Sequence, residues 1–161
     1  MITKETLGEA FAGNLRLIKL QTEGLSHADS LVQTPYNINS LNWVVGHIAV
    51  NRDNVLRLLG GEPLLSEAET TRYKRESEPV RQNGEAVIPL ERLLEILEGG
   101  QVRLTSELAA LSEEDLSRKI MVGERQITLG NRLFGFYFHD TYHTGQTDLL
   151  RQVAGTNDKI I

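Results

Sequence analysis

The sequence predicts an all-α protein: a bundle of four helices with one long loop between the second and the third. Three observations carry this. Apolar residues recur at spacings of three and four in four separate stretches, nowhere do apolar and polar residues alternate as in a strand, and cap residues, glycines and prolines fall between the stretches. A length of 161 residues and a mass of 18.0 kDa fit one domain, 1–161, around a single core.

The first stretch runs from about Thr3 to Thr22, with Leu7, Phe11, Leu15, Ile18, Thr22 and Leu25 on one face and Gly24 as its stop. Ser26 to Asn39 is rich in turn formers, and His27 within it is expected to be solvent-exposed. Asn39 or Ser40 caps the second helix, whose buried stripe is Leu41, Val44, Ile48, Val55 and Leu59 and whose end is Gly60-Gly61. Residues 62–88 show no sustained period and form a segment covering one end of the bundle. Pro89 suits the first turn of the third helix, striped by Leu90, Leu93, Leu94, Leu97, Leu104, Leu108 and Leu111. Gly99-Gly100 sits inside it, as a local kink or to allow close approach of a neighbour or room for a ligand. Ser112-Glu113-Glu114-Asp115 reads as a cap with a short turn of its own. The fourth helix spans about Thr128 to Ala154 and is apolar on two flanks, one of them Phe134, Phe138 and Tyr142. The Phe134/Phe138 flank is expected between subunits or against the first helix.

Composition narrows the chemistry. No apolar run approaches the roughly 18 residues a membrane-spanning helix needs, and Met1–Glu5 lacks the basic and apolar regions of a signal peptide. A cytoplasmic protein is expected. With no cysteine there is no disulfide, Cys-ligated zinc or cysteine nucleophile. A net charge of −5 and a pI of 5.4 argue against general nucleic-acid binding. Chemistry must then come from His, Asp, Glu, Tyr or a metal.

Two histidines, His139 and His143, stand one turn apart on the fourth helix, sharing a stripe with Phe136, Gln146 and Leu150. His47 lies on the second helix beside Val44 and Ile48. Two readings stand at this point. On one, His47 is an ordinary core histidine and His139/His143 a chance pair; on the other, the three share one ion, which would resolve the cost of burying three polar rings together and leave a fourth position for water or substrate. His139-Asp140-x-x-His143 also resembles a metalloprotease helix motif, but Asp replaces Glu and no third histidine follows, with Asp148 and Asp158 poor substitutes. Asp140 is expected to be a solvated charge. No nucleophile elbow, phosphate loop or dinucleotide fingerprint is present.

Two segments resemble the DinB-like (DinB/YfiT) superfamily of bacterial metal-binding four-helix bundles. Asn39-Ser40-Leu41-Asn42-Trp43-Val44-Val45-Gly46-His47-Ile48 is similar to its second-helix signature, and His139-Asp140-Thr141-Tyr142-His143-Thr144-Gly145-Gln146 to its fourth; Arg72-Tyr73-Lys74-Arg75 adds a weaker likeness. The resemblance implies an up-down-down-up bundle, a tendency to form homodimers, and His47, His139 and His143 as metal ligands, with nickel or zinc the usual ion. It also implies a range of activities: some members are transferases or isomerases using low-molecular-weight thiols such as bacillithiol or mycothiol. A further His beside the second ligand, frequent in the family, is absent here, where Tyr142 and Thr144 flank His143.

The sequence therefore points to metal-dependent transfer involving a small thiol or an activated water. The other expectation is a non-catalytic, metal-binding dimeric stress or sensor protein. No catalytic residue is assigned, and no organic cofactor is expected. Arg72, Lys74 and Arg75 either draw in an anionic cosubstrate or, with Glu69, Glu76 and Glu78 among them, form a solvated charged loop. Tyr73, Tyr137 and Tyr142 either pack or supply a proton, and Gln146 lies within possible reach of the site.

Overall fold

In the computed structural model, which describes residues 3–158, the four long helices fall where the periodicity puts them. They are α1 (Lys4–Thr22), α3 (Leu41–Leu59), α5 (Leu90–Ala110) and α7 (Leu129–Val153). Between them lie the short helices α2 (His27–Ser30), α4 (Glu67–Tyr73) and α6 (Glu113–Ser117), and a hairpin of β1 (Lys119–Val122) and β2 (Arg125–Thr128). The expected domain, 1–161, extends past both ends of the described residues.

Helix starts follow from side-chain caps. The hydroxyls of Thr3, Ser40 and Thr128 each accept the backbone N–H three residues on, satisfying a donor the helix itself leaves free. Ser40, not Asn39, is the cap of α3. Ser112 and Asp115 close a reciprocal capping box around α6. The third long helix starts differently: Pro89 caps α5 without a side-chain bond, and the Leu90 N–H is instead accepted by His27 Nδ1 at 3.2 Å, while His27 Nε2 meets Asn83 Oδ1 at 2.6 Å. His27 is thus a half-buried cap supplied from the start of α2, in place of the exposed loop residue expected. Helix α5 runs unbroken through Gly99-Gly100, and a Cβ on Gly100 would stand 3.0 Å from Leu64 Cδ1. Close approach of the neighbouring segment explains that glycine.

Cross-helix hydrogen bonds set the directions. Asn14 meets Asp140 and Thr141 while Arg151 reaches the Gln21 carbonyl, so α1 and α7 run parallel. Lys4 reaches the Ala109 carbonyl, so α1 and α5 are antiparallel. Asn42 bonds Ile88 at one end of the α3–α5 pair and Arg103 bonds Glu62 at the other, so these two are parallel. The order is up-down-down-up. A connection between parallel neighbours must travel back along the whole of α3, about 28 Å at 1.5 Å per residue. Residues 60–89 do so. Asp53 accepts the N–H groups of Leu64 and Leu65, Tyr73 then lies against Gly46, and the Tyr73 hydroxyl finally bonds Asn42 and Ile88. The expectation of a cover over one end is corrected: the segment is a crossover along the flank, and it buries Leu65, Tyr73, Val80 and Ile88 in the core.

Two apolar clusters fill the bundle, one around Ile48, Leu93 and Trp43, the other around Phe11, Leu56 and Leu133. Between them in every long helix sits a buried polar residue: Asn14, Arg52, Gln101 and Asp140. The Arg52 guanidinium donates to Asp140 at 3.0 Å, to Gln101 at 3.2 Å and to the Phe11 carbonyl at 3.0 Å. Asp140 is therefore a fully buried, paired carboxylate, not the solvated charge expected. Helical spacing alone does not separate the two cases, because a partner 88 residues away in sequence decides it.

Breaking this pair should be far more costly than breaking a surface one. Arg52→Met leaves Asp140 buried and uncompensated and is expected to lower unfolding free energy by about 3–5 kcal/mol, whereas Lys19→Ala, which removes an exposed pair to Glu98, should cost under about 1 kcal/mol. Urea midpoints of the two variants check both.

Candidate metal centre

Glycine 46 explains how His47 comes to face the bundle interior at the right height. A Cβ at this position would lie 2.2 Å from the Tyr73 ring, so only glycine lets the crossover approach α3 this closely. The approach brings the Tyr73 carbonyl to 2.7 Å from His47 Nδ1, which donates to it. With the proton fixed on Nδ1, Nε2 of His47 presents a bare lone pair. The Trp43 indole stacks on the ring from the preceding turn, centroids 4.6 Å apart, and is itself anchored by Nε1 donating to Ser77 at 2.8 Å.

Helix α7 supplies the other two rings. His143 Nδ1 lies 2.7 Å from Gln146 Oε1, an oxygen that can only accept, so His143 also turns a bare Nε2 inward. Gln146 thus touches the site through His143. His139 Nε2 lies 3.2 Å from His47 Nε2, while its Nδ1 is buried without a partner. One nitrogen from each of the three rings falls within 4.8 Å of the others. Two imidazole nitrogens bound at 2.0–2.1 Å to one tetrahedral ion stand about 3.3 Å apart, so the His47–His139 separation suits a shared cation. Without an ion, the His139 proton sits on Nε2 and donates to the bare His47 Nε2. The donor set fits a divalent metal, and this cluster could hold one.

Burial holds all three rings neutral. Desolvation lowers the pKa of His47 in spite of the Tyr73 carbonyl, with His143 adding repulsion. It lowers that of His143 against the opposing effects of Gln146 and Asp140. His139 is pushed down to about 4, by desolvation first and then by its two histidine neighbours, with Asp140 opposing. Neutral imidazole is the ligating form.

The other candidates sort as follows. The Tyr73 side chain points away from the cluster, its hydroxyl occupied by Asn42 and Ile88. Tyr137 packs edge-on against Phe11, and the exposed Tyr142 stands edge-on to His143. Arg72 bonds the carbonyls of Glu78 and Pro79 within the crossover and does not line the site. Lys74 and Arg75 do: with His47, His139, Asn51 and Arg132 they border a cavity of about 320 Å³. Arg132 escaped the sequence reading although Arg132, Phe136, His139 and His143, at spacings of four, three and four, share one stripe of α7. Asn51, one turn beyond His47, donates to the Phe136 carbonyl at 3.0 Å and ties α3 to α7 beside the cluster. Phe134 and Phe138 are exposed, so they do not pack against α1.

Fold and cluster together define a class: an up-down-down-up helical bundle with an inward histidine triad between its second and fourth long helices. The DinB superfamily profile matches residues 16–147, and the chain belongs to that superfamily. A crystal structure of a conserved protein from Enterococcus faecalis is similar in fold, with a TM-score of 0.74 at 21% identity over 97% of this chain and 99% of that one. No curated protein matches the chain. Among the described residues no helix is long and apolar enough to cross a membrane.

The depressed pKa values carry a sign. An unfolded histidine protonates near pH 6.5, while His139 in the fold resists until about 4. The unfolded state therefore takes up protons first, so stability is full above pH 6.5 and is lost as pH falls toward 4. Metal-free protein should show a Tm that drops across this window, and His139→Gln should flatten the drop when melting is followed by circular dichroism.

Proposed function

We propose that His47, His139 and His143 hold one divalent ion, zinc or nickel, through their inward-facing nitrogens, and that the protein is a metal-dependent transferase acting with a low-molecular-weight thiol or an activated water. The observation that carries this reading is the pair of preset tautomers: the Tyr73 carbonyl and Gln146 each hold a proton on the outer nitrogen of a ring and leave the inner one free. An ion held here by neutral ligands alone would keep its full charge; zinc would lower the pKa of a bound water to about 7, and either ion would favour thiolate over thiol. The chain has no cysteine, so a thiol must come from outside. The residues contribute the rest. Trp43 and Gly46 fix the ring of His47, Phe136 and Val50 make part of the adjoining cavity apolar, and Asn51 keeps α3 and α7 in register at its edge.

A homodimer is part of the same proposal. Phe134, Phe138, Tyr142 and Leu149 are exposed on one stripe of α7, and an apolar stripe of this kind suits an interface between copies. Sedimentation at micromolar concentration should give a dimer, and Phe138→Glu a monomer.

The central test is metal content and turnover on protein expressed without a histidine tag. Wild type should bind one equivalent of zinc or nickel, and His143→Ala should lose it. Gln146→Leu, which frees the His143 ring, should weaken binding about 10- to 100-fold without unfolding the bundle. Turnover of an electrophilic acceptor with bacillithiol, mycothiol or glutathione, abolished by His143→Ala, supports the transferase. Tight metal without turnover would support the non-catalytic metal-binding alternative in its place.

A further inference from the structure

We infer that the cavity beside the histidine cluster receives a small molecule bearing an anionic group, carboxylate or phosphate, which is taken by Arg132 and Lys74 while the rest of the ligand faces His47 and His139. This names the substrate class of the proposed centre and rests on that reading. Three cations, Lys74, Arg75 and Arg132, border the cavity, and no acidic residue does. That is notable in a chain whose 22 acidic residues outnumber its 17 basic ones. Arg75 is partly neutralised by Glu76 at 3.6 Å, both side chains being exposed, so the assignment rests on the other two. Among the described residues neither Lys74 nor Arg132 enters a salt bridge.

Their positions are built in. Arg132 lies over the Phe136 ring, its guanidinium carbon 4.1 Å from the ring centre, one turn away on the stripe that carries His139. That contact orients the planar donor fork and leaves its N–H groups for an anion. Lys74 directly follows Tyr73, the residue whose carbonyl anchors His47, so the crossover delivers the cation and the ring's anchor together. Asn51 and Asn54 also line the cavity, side-chain amides whose free polar atoms can bond a polar part of the ligand. A volume of about 320 Å³ is at the small end of ligand pockets, which excludes a large cosubstrate lying wholly inside.

Calorimetry on the full chain tests this. Zinc-loaded protein is titrated with mercaptosuccinate, with the neutral thiol mercaptoethanol, and with inorganic phosphate; metal-free protein is titrated with succinate and phosphate. Zinc affinity is followed separately by the fluorescence of Trp43, the only tryptophan, which stacks on His47. The expected result is mercaptosuccinate binding at least tenfold tighter than mercaptoethanol. In the Lys74→Gln/Arg132→Gln variant that advantage should fall below threefold, with zinc affinity unchanged. Competition by phosphate would identify phosphate as an acceptable anion; its failure to compete would confine the site to carboxylates, and both fit the inference. Equal binding of the two thiols by wild type, or an advantage that survives the double substitution, overturns it. If zinc does not bind at all, the metal reading falls by itself, and the metal-free titrations decide the anion site: binding of succinate or phosphate that the double variant loses upholds it, and no such binding overturns it.

Discussion

One guanidinium touches all four long helices of this bundle. Arg52 projects from α3 into the gap between the two apolar clusters and bonds α1 at the Phe11 carbonyl, α5 at Gln101 and α7 at Asp140. Apolar packing tolerates a helix sliding or rotating by a fraction of a turn, since one leucine replaces another at little cost. A buried charge does not tolerate it, because any shift that opens the Arg52–Asp140 contact strands two ions in a low-dielectric interior. Asp140 is also bonded by Asn14, so the rotation of α7 is held from two sides.

That rotation is what the histidine cluster needs. His139 precedes Asp140 and His143 follows it by three residues, so fixing the carboxylate toward α1 and α3 turns both rings toward His47. The third ring is placed by a different device. Because α3 and α5 are parallel, the chain must run back along α3, and the absence of a side chain at Gly46 lets Tyr73 settle there and present its carbonyl to His47. The crossover thus sets one tautomer within the histidine cluster. It also carries Lys74 to the cavity's edge, so the topology that demands a long connection supplies part of the pocket.

The division between what was legible and what was not follows the range of each interaction. Caps at Thr3, Ser40, Ser112 and Thr128 act over three residues, and the leucine stripes over seven or eight, so both can be seen in a linear text. The His139–His143 pair belongs to the same category, as does Arg132 on its stripe, which the spacing offered and the reading passed over. Helix α4 and the hairpin Lys119–Thr128 were missed for the opposite reason. Each is too short to establish a period, and α4 has only Tyr73 buried.

What the amino-acid order determined by itself was four helices, their starts and faces, and three histidines on inward stripes, because helical geometry converts spacing into direction at a fixed angle per residue. Whether a polar residue on such a stripe is solvated, paired or ligating depends on atoms brought from far along the chain. Only the assembled bundle decided that Asp140 is an ion-paired core residue, that His27 caps a helix 63 residues away, that Arg72 braces a loop while Lys74 meets a cavity, and that three rings converge within reach of one ion. Packing partners choose between chemical roles that spacing leaves open, because desolvation and pairing are properties of a place in the fold.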